Sequence, residues 1–135
     1  MNSINDKVSA SINFEIKTYE IDIAGHVNNI VYVKWLEDLR IKLFEQILPV
    51  DILLKENLYP VVISTKIVYR KQLKFADKTL GHIEIENIAH DILNLKFEFI
   101  SNNKTCVVAE QKCILMDIKS ATMNKGRLKT LVGLK

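Results

Sequence analysis

The chain is poor in the residues that punctuate or staple a fold. Its 135 residues include four glycines, two prolines, two cysteines, three histidines and one tryptophan. Cys106 and Cys113 stand seven apart in one alternating segment. An odd spacing puts them on opposite faces of a strand, so they are not placed to bridge each other. Neither a CxxC nor an HxxxH pair occurs, and metal coordination loses its usual ligand spacing; no metal site is expected. No apolar run approaches ~18 residues, the length a membrane-spanning helix requires. The opening MNSINDKVSA has no basic start and no apolar run, so no signal peptide and a cytoplasmic location are expected. A net charge of +3 is mild. Nucleic-acid binding would call for a stronger basic excess with interleaved aromatics, so neither nucleic acid nor a membrane is an expected partner. Internal repeats, linkers and low-complexity tracts are absent.

What is present suits one globular domain over 1–135. Apolar residues make up 48% and charged residues 26%, enough to bury a core without staples. Residues 11–19, SINFEIKTY, alternate as a half-buried strand with Ile12, Phe14, Ile16 and Thr18 on one face. From Asn29 to Ile47 the period changes. Tyr32, Leu36, Leu39, Leu43 and Ile47 recur at helical spacing, and Val33, Phe44 and Leu48 widen the stripe. Asn28 or Asn29 suits the N-cap, and Pro49 stops the helix. Residues 50–57 suit a short second helix. Segments 59–71, 79–91, 92–101 and 105–118 all alternate as strands, with HDIL and NNKT as hairpin tips. The last three are consecutive, and an antiparallel meander is their simplest arrangement. The polar, basic tail from Ser120 to Lys135 is expected to be loosely held. The fold class is α+β: about five antiparallel strands and one long helix. An edge strand is left open and invites pairing with a second copy, as a homodimer or a tetramer.

The one glycine in the first 80 residues sits in DIAGHVNNIVY, residues 22–32, directly before the long helix. Gly25 can take positive φ there and lets a ligand come close to the backbone. The order of strand, D-x-x-G-H-V-N-N-x-x-Y, helix and meander resembles the hotdog-fold acyl-CoA thioesterases, and more narrowly the 4-hydroxybenzoyl-CoA thioesterase family. The matching residues are Asp22, Gly25, His26, Val27, Asn28, Asn29 and Tyr32; Trp35, Glu37 and Arg40 continue the pattern. YRKQLKFAD, residues 69–77, is similar to the family's tyrosine and basic segment with an Asp closing a tight turn. The resemblance implies a curved antiparallel sheet wrapped around a long central helix, with thioester hydrolysis at a dimer interface.

The resemblance makes Asp22 the catalytic carboxylate, either as nucleophile or as general base for water. The free N–H groups and positive dipole end at the start of the 29–47 helix suit a developing oxyanion, with Asn29 giving its backbone N–H. His26 is a candidate acid–base group or an orienter of the loop. Asn28 suits a cap, Gly25 a close backbone approach, and Tyr32 either a substrate contact or the core. Arg70, Lys71 and Lys74, with Lys125, Arg127 and Lys129 in the tail, are candidates for the phosphates of coenzyme A, against a plainly solvated basic face. Coenzyme A would enter as part of the substrate, with no separate cofactor. His82 and His90 receive no role.

Two departures narrow the reading. Relatives with an Asp–Asn–His spacing have Asn where Ala24 stands. Another branch takes its carboxylate from the central helix, where Glu37 and Asp38 are second choices. Three functions compete: an acyl-CoA thioesterase, a non-catalytic binder of acyl-CoA or acyl-carrier protein, and a dehydratase. A binder has no need of a carboxylate near a polyanionic ligand. A dehydratase would pair a His with a helix carboxylate in a Pro-rich motif, which is missing.

Overall fold

The computed structural model describes residues 8–133; the MNSINDK start lies outside the described residues. Six strands form one antiparallel sheet: β1 (Ser9–Phe14), β2 (Leu58–Tyr69), β3 (Thr79–Ala89), β4 (Ile92–Ser101), β5 (Lys104–Asp117) and the two-residue β6 (Thr122–Met123). Their order across the sheet is β1-β3-β4-β5-β2, with β6 against the end of β5. The meander β3-β4-β5 is as the alternation predicts. Its tips are His90–Asp91 and Asn102–Asn103, four residues at positive φ, the conformation of two-residue hairpin turns. β1 and β2 arrive from elsewhere in the chain and take the two edges.

The long helix α1 runs Asn29–Ile47, as its periodicity predicts. Asn28 caps it: its Oδ1 accepts the Ile30 N–H at 3.1 Å. α1 buries Trp35, Leu36, Leu39 and Leu43 against β1 and β3. Val33 does not join that face and is exposed. A short α2 (Val50–Glu56) follows, ended by Asn57 in the left-handed conformation.

α1 also deals with one sheet edge. Lys42 Nζ donates to the Ser11 carbonyl at 2.8 Å, and Gln46 Nε2 to the Ser9 carbonyl at 3.3 Å. Those are β1 carbonyls, so one edge is partly covered. β2 has no such cover among the described residues; it is 12 residues long with Tyr59, Ile63, Val68 and Tyr69 exposed.

Several expectations are corrected. The first strand ends at Phe14, and Thr18–Glu20 form a single 3-10 turn instead of continuing the alternation. Glu20 Oε1 accepts the Lys17 N–H at 2.7 Å, which closes the turn locally. The tail is not loose up to Gly133. β6 pairs with β5, and α3 (Arg127–Val132) buries Leu128 and pairs Arg127 with Glu56 at 2.9 Å. Cys106 and Cys113 are free and both buried. A register shift beside Cys106 makes it the extra residue of a bulge, which breaks simple face counting along β5.

Candidate active site

The stretch 21–28 closes on itself before α1 begins. Ile21 bridges Val27, and the Asp22 N–H donates to the His26 carbonyl at 2.8 Å. Inside this ring the Asp22 carboxylate acts locally: Oδ1 accepts the N–H of Ala24 at 2.9 Å and of His26 at 3.1 Å. Oδ2 has no partner among the described residues, and the side chain is exposed. Gly25 stands at φ +81°, and a Cβ there would meet nothing within 4 Å. The requirement for glycine is therefore one of backbone conformation, not of crowding.

A second segment, residues 73–77, clamps this loop. The Val27 N–H donates to the Leu73 carbonyl at 2.8 Å, the Phe75 N–H to the Gly25 carbonyl at 3.3 Å, and His26 bridges Lys74. The segment is itself a tight turn. Asp77 Oδ2 accepts the Lys74 N–H at 2.8 Å, and the Asp77 N–H returns to the Lys74 carbonyl at 3.0 Å. Leu73, fully buried, anchors it.

The loop leads straight into the helix start. Asn28 satisfies the N–H of Ile30 through its side chain and of Val31 through its carbonyl. The Asn29 N–H is left with no acceptor among the described residues, at the positive end of a 19-residue helix. Asp22, His26, Asn28 and Asn29 are thus carried by one short stretch. An unpaired carboxylate oxygen and an unpaired helix N–H are the two parts that acyl transfer to water needs. The His26 ring is half-buried and makes no hydrogen bond among the described residues.

The remaining candidates separate. Tyr32 is 2% exposed, with its ring 5.4 Å from Tyr69, 5.5 Å from Trp35 and 5.8 Å from Phe99. Burial pushes its phenol up to about 12, the Leu73 backbone working against that rise. In the single chain Tyr32 supports the site from beneath and presents no surface to a ligand. Lys74 stands beside His26, whereas Arg70 does not. Arg70 lies with His82, Glu84, Lys96 and Glu98 around a shallow depression of about 230 Å³ on the sheet face away from α1. Lys71 is exposed at the end of β2, where the N–H groups of Arg70 and Lys71 share the Cys106 carbonyl. The basic run 70–74 is therefore divided between surfaces. Of the tail cations, Lys125 and Lys129 are exposed, and Arg127 is committed to Glu56. Glu37 and Asp38 are exposed on α1 and line a groove of about 500 Å³ with Tyr19, Asn28 and Lys34. Among the described residues, no group of three His, Cys, Asp or Glu side chains is placed to hold a metal, and no helix is long and apolar enough to cross a membrane.

Leu73 and Phe75 had no part in the sequence reading of the site. Their one signal is an apolar pair inside the basic run YRKQLKFAD.

Solved structures share this architecture. A protein of Staphylococcus aureus described in complex with CoA superposes with a TM-score of 0.82 at 11% identity, covering 98% of this chain and 85% of that one. A thioesterase from Thermus thermophilus complexed with coenzyme A and zinc gives 0.75 at 17% identity, over 90% and 95%. A probable thioesterase from Escherichia coli gives 0.77 at 18%, over 93% and 98%. At such identities the likeness establishes the fold, a curled antiparallel half-barrel with few helices. No curated protein matches the sequence. Residues 16–130, however, match the Thioesterase-like superfamily, and they contain both the 21–28 loop and its 73–77 clamp. The chain belongs to the Thioesterase-like superfamily, and its activity class is that of a thioester hydrolase.

Proposed function

We propose that the protein is an acyl-CoA thioesterase of the 4-hydroxybenzoyl-CoA type, built on a hotdog fold with α1 as the central helix, and that it acts in the cytoplasm. The observation that carries this reading is that the stretch opening α1 carries both an Asp22 Oδ2 and an Asn29 N–H without a partner among the described residues. The thioester carbonyl oxygen would accept from the Asn29 N–H. Asp22 would either take a proton from water as the water oxygen adds, or add itself to give an acyl-Asp anhydride that water then opens. In both routes the carbon–sulfur bond breaks, coenzyme A leaves as thiolate and gains a proton, and the acid is released. His26, half-buried with a free ring, suits proton delivery to the thiolate. Gly25 and Asn28 shape the substrate approach, and Lys74 with Lys71 suits the phosphates. Coenzyme A is part of the substrate, and no cofactor or metal enters.

Two observations favour self-association as at least a homodimer. β2 is a 12-residue edge strand left uncovered by the described residues. Large apolar side chains crowd the site without cover: Ile23 at 107% exposure, Ile30 at 66% and Phe75 at 48%.

One observation favours a second reading. Both bonds to Asp22 Oδ1 are those of an ordinary turn residue, as in a non-catalytic acyl-CoA binder. Thiol release from short, long, branched and aromatic acyl-CoAs separates the two. Turnover of any of them supports the hydrolase and names its class. No thiol release from the panel, with acyl-CoA still raising the melting temperature, transfers the protein to the binders.

A further inference from the structure

The sheet face away from α1 carries a row of charges of alternating sign. Glu84 on β3 stands opposite Lys96 on β4, Lys96 opposite Glu110 on β5, and Glu110 opposite Lys66 on β2. Their chain neighbours, among them Ile83, Leu95, Phe97 and Ala109, are buried on the helix side, so the pleat turns the four charges outward together. At the usual strand spacing the row is about 14 Å long. The chain itself uses only part of this charge. Lys96 Nζ reaches Glu86 Oε2 at 3.5 Å, and Glu84 Oε1 lies 3.7 Å from His82 Nε2. Glu110 and Lys66 face each other across β5 and β2, yet neither makes an ion pair or side-chain hydrogen bond among the described residues.

The alternation makes the row self-complementary for one symmetry only. Two copies can face each other about a two-fold axis lying across the strands or along them. An axis across the strands, centred on the row, sets each charge against itself, Glu84 on Glu84 and Lys96 on Lys96. An axis along the strands, between β4 and β5, reverses the order of the row, and every charge meets its opposite. The bordering rows tolerate the same axis. His82 then faces Val68, Glu98 faces Val108 and Asn94 faces Lys112, so no like charges meet.

We propose that this face docks on a second copy of the chain about a two-fold axis along the strands, with Lys96 on the partner's Glu110 and Glu84 on the partner's Lys66. The contact uses the face of the sheet, whereas pairing at β2 uses its edge, so the two can coexist. It does not depend on catalysis. Exposed ion pairs are individually weak and are screened by salt, so the association is reversible and sensitive to ionic strength.

Light scattering coupled to gel filtration of the whole protein tests it. In about 50 mM salt the wild-type mass should be twice that in about 1 M salt, where the screening length falls to about 3 Å. That ratio holds whether the smaller species is the 15.5 kDa chain or a β2-paired dimer. Lys96→Glu sets a like charge against the partner's Glu110, and Glu110→Lys does so against the partner's Lys96. Each variant alone should show the smaller mass in low salt; both positions are exposed, so both variants should fold. An equimolar mixture of the two variants should recover the larger mass, because opposite charges then meet at every position of the row. Charge pairing within one chain gives no such recovery, since mixing leaves each chain as it was. A wild-type mass that does not change with salt, single variants that keep the larger mass, or a mixture that stays small would each overturn the proposal.

Discussion

Asp22 has one job seen in the structure and a second that we propose, and two substitutions separate them. As a turn residue it holds the N–H groups of Ala24 and His26 on Oδ1. Each such bond is worth about 1 kcal/mol net, with some gain from the carboxylate charge. The loop is exposed, so N–H groups released by Asp22→Ala find water, and the loss should be about 1–2 kcal/mol, or several degrees in melting temperature. Asp22→Asn keeps an acceptor oxygen where Oδ1 stands and should cost under ~1 kcal/mol. As the proposed catalytic group, Asp22 would contribute its charge and basicity through Oδ2, which both variants lose. Hydrolysis should therefore fall on the order of a hundredfold or more in each. The assay is thiol release read by a chromogenic disulfide, beside thermal unfolding of the same preparations. Both cysteines of the chain are buried, so background colour should be slow. If Asp22→Asn kept activity within threefold of wild type while Asp22→Ala lost it together with stability, Asp22 would be a turn residue and the catalytic assignment would fail.

Three further predictions concern the frame around the site. Burial holds the Tyr32 phenol neutral, with its pKa raised to about 12 from 10.0, so its contribution to stability is complete below pH 10 and is lost as pH rises towards 12. That loss amounts to about 2–3 kcal/mol at 1.36 kcal/mol per pKa unit, and chemical denaturation of wild type against Tyr32→Phe should show it as a difference growing above pH 10; parallel curves would refute it. Gly81→Ala would place a Cβ 2.5 Å from Phe14 Cε2 and 3.1 Å from Leu39 Cδ1. Phe14 stacks 4.7 Å from Trp35 and cannot simply retreat, so a cost of about 1–3 kcal/mol is expected, and an unchanged melting temperature would contradict that packing. Leu128→Ala should cost about 2–3 kcal/mol because α3 is docked; a stability equal to wild type in urea would mean that the tail contributes nothing.

The sequence by itself determined what near neighbours determine. The bounds of α1 follow from its apolar period, the Asn28 cap and Pro49, all contained in the segment. The tips at His90–Asp91 and Asn102–Asn103 follow from residues that tolerate positive φ. The DIAGHVNN stretch was legible for the same reason: Asp22, Gly25 and His26 bond within four residues of one another.

Only the tertiary structure decided the rest. That Leu73 and Phe75 clamp the loop depends on bonds between segments far apart in the chain, which no local spacing records. The placing of Arg70 on the opposite face from the helix follows from pairing in the sheet, so a basic run in sequence was not a basic cluster in space. Thr18–Glu20 left the strand because one glutamate closed a turn. The tail was held because Leu128 found a cavity to fill and Arg127 found Glu56, a partner 71 residues away in the chain. An apolar pocket at the far end of α1 belongs with these: it is lined by residues of α1, α2, β2 and, through Cys113, β5, so all four must be in place before it exists. Short-range hydrogen bonds are written in the order of residues, whereas burial and charge pairing depend on which surfaces the folded sheet brings together.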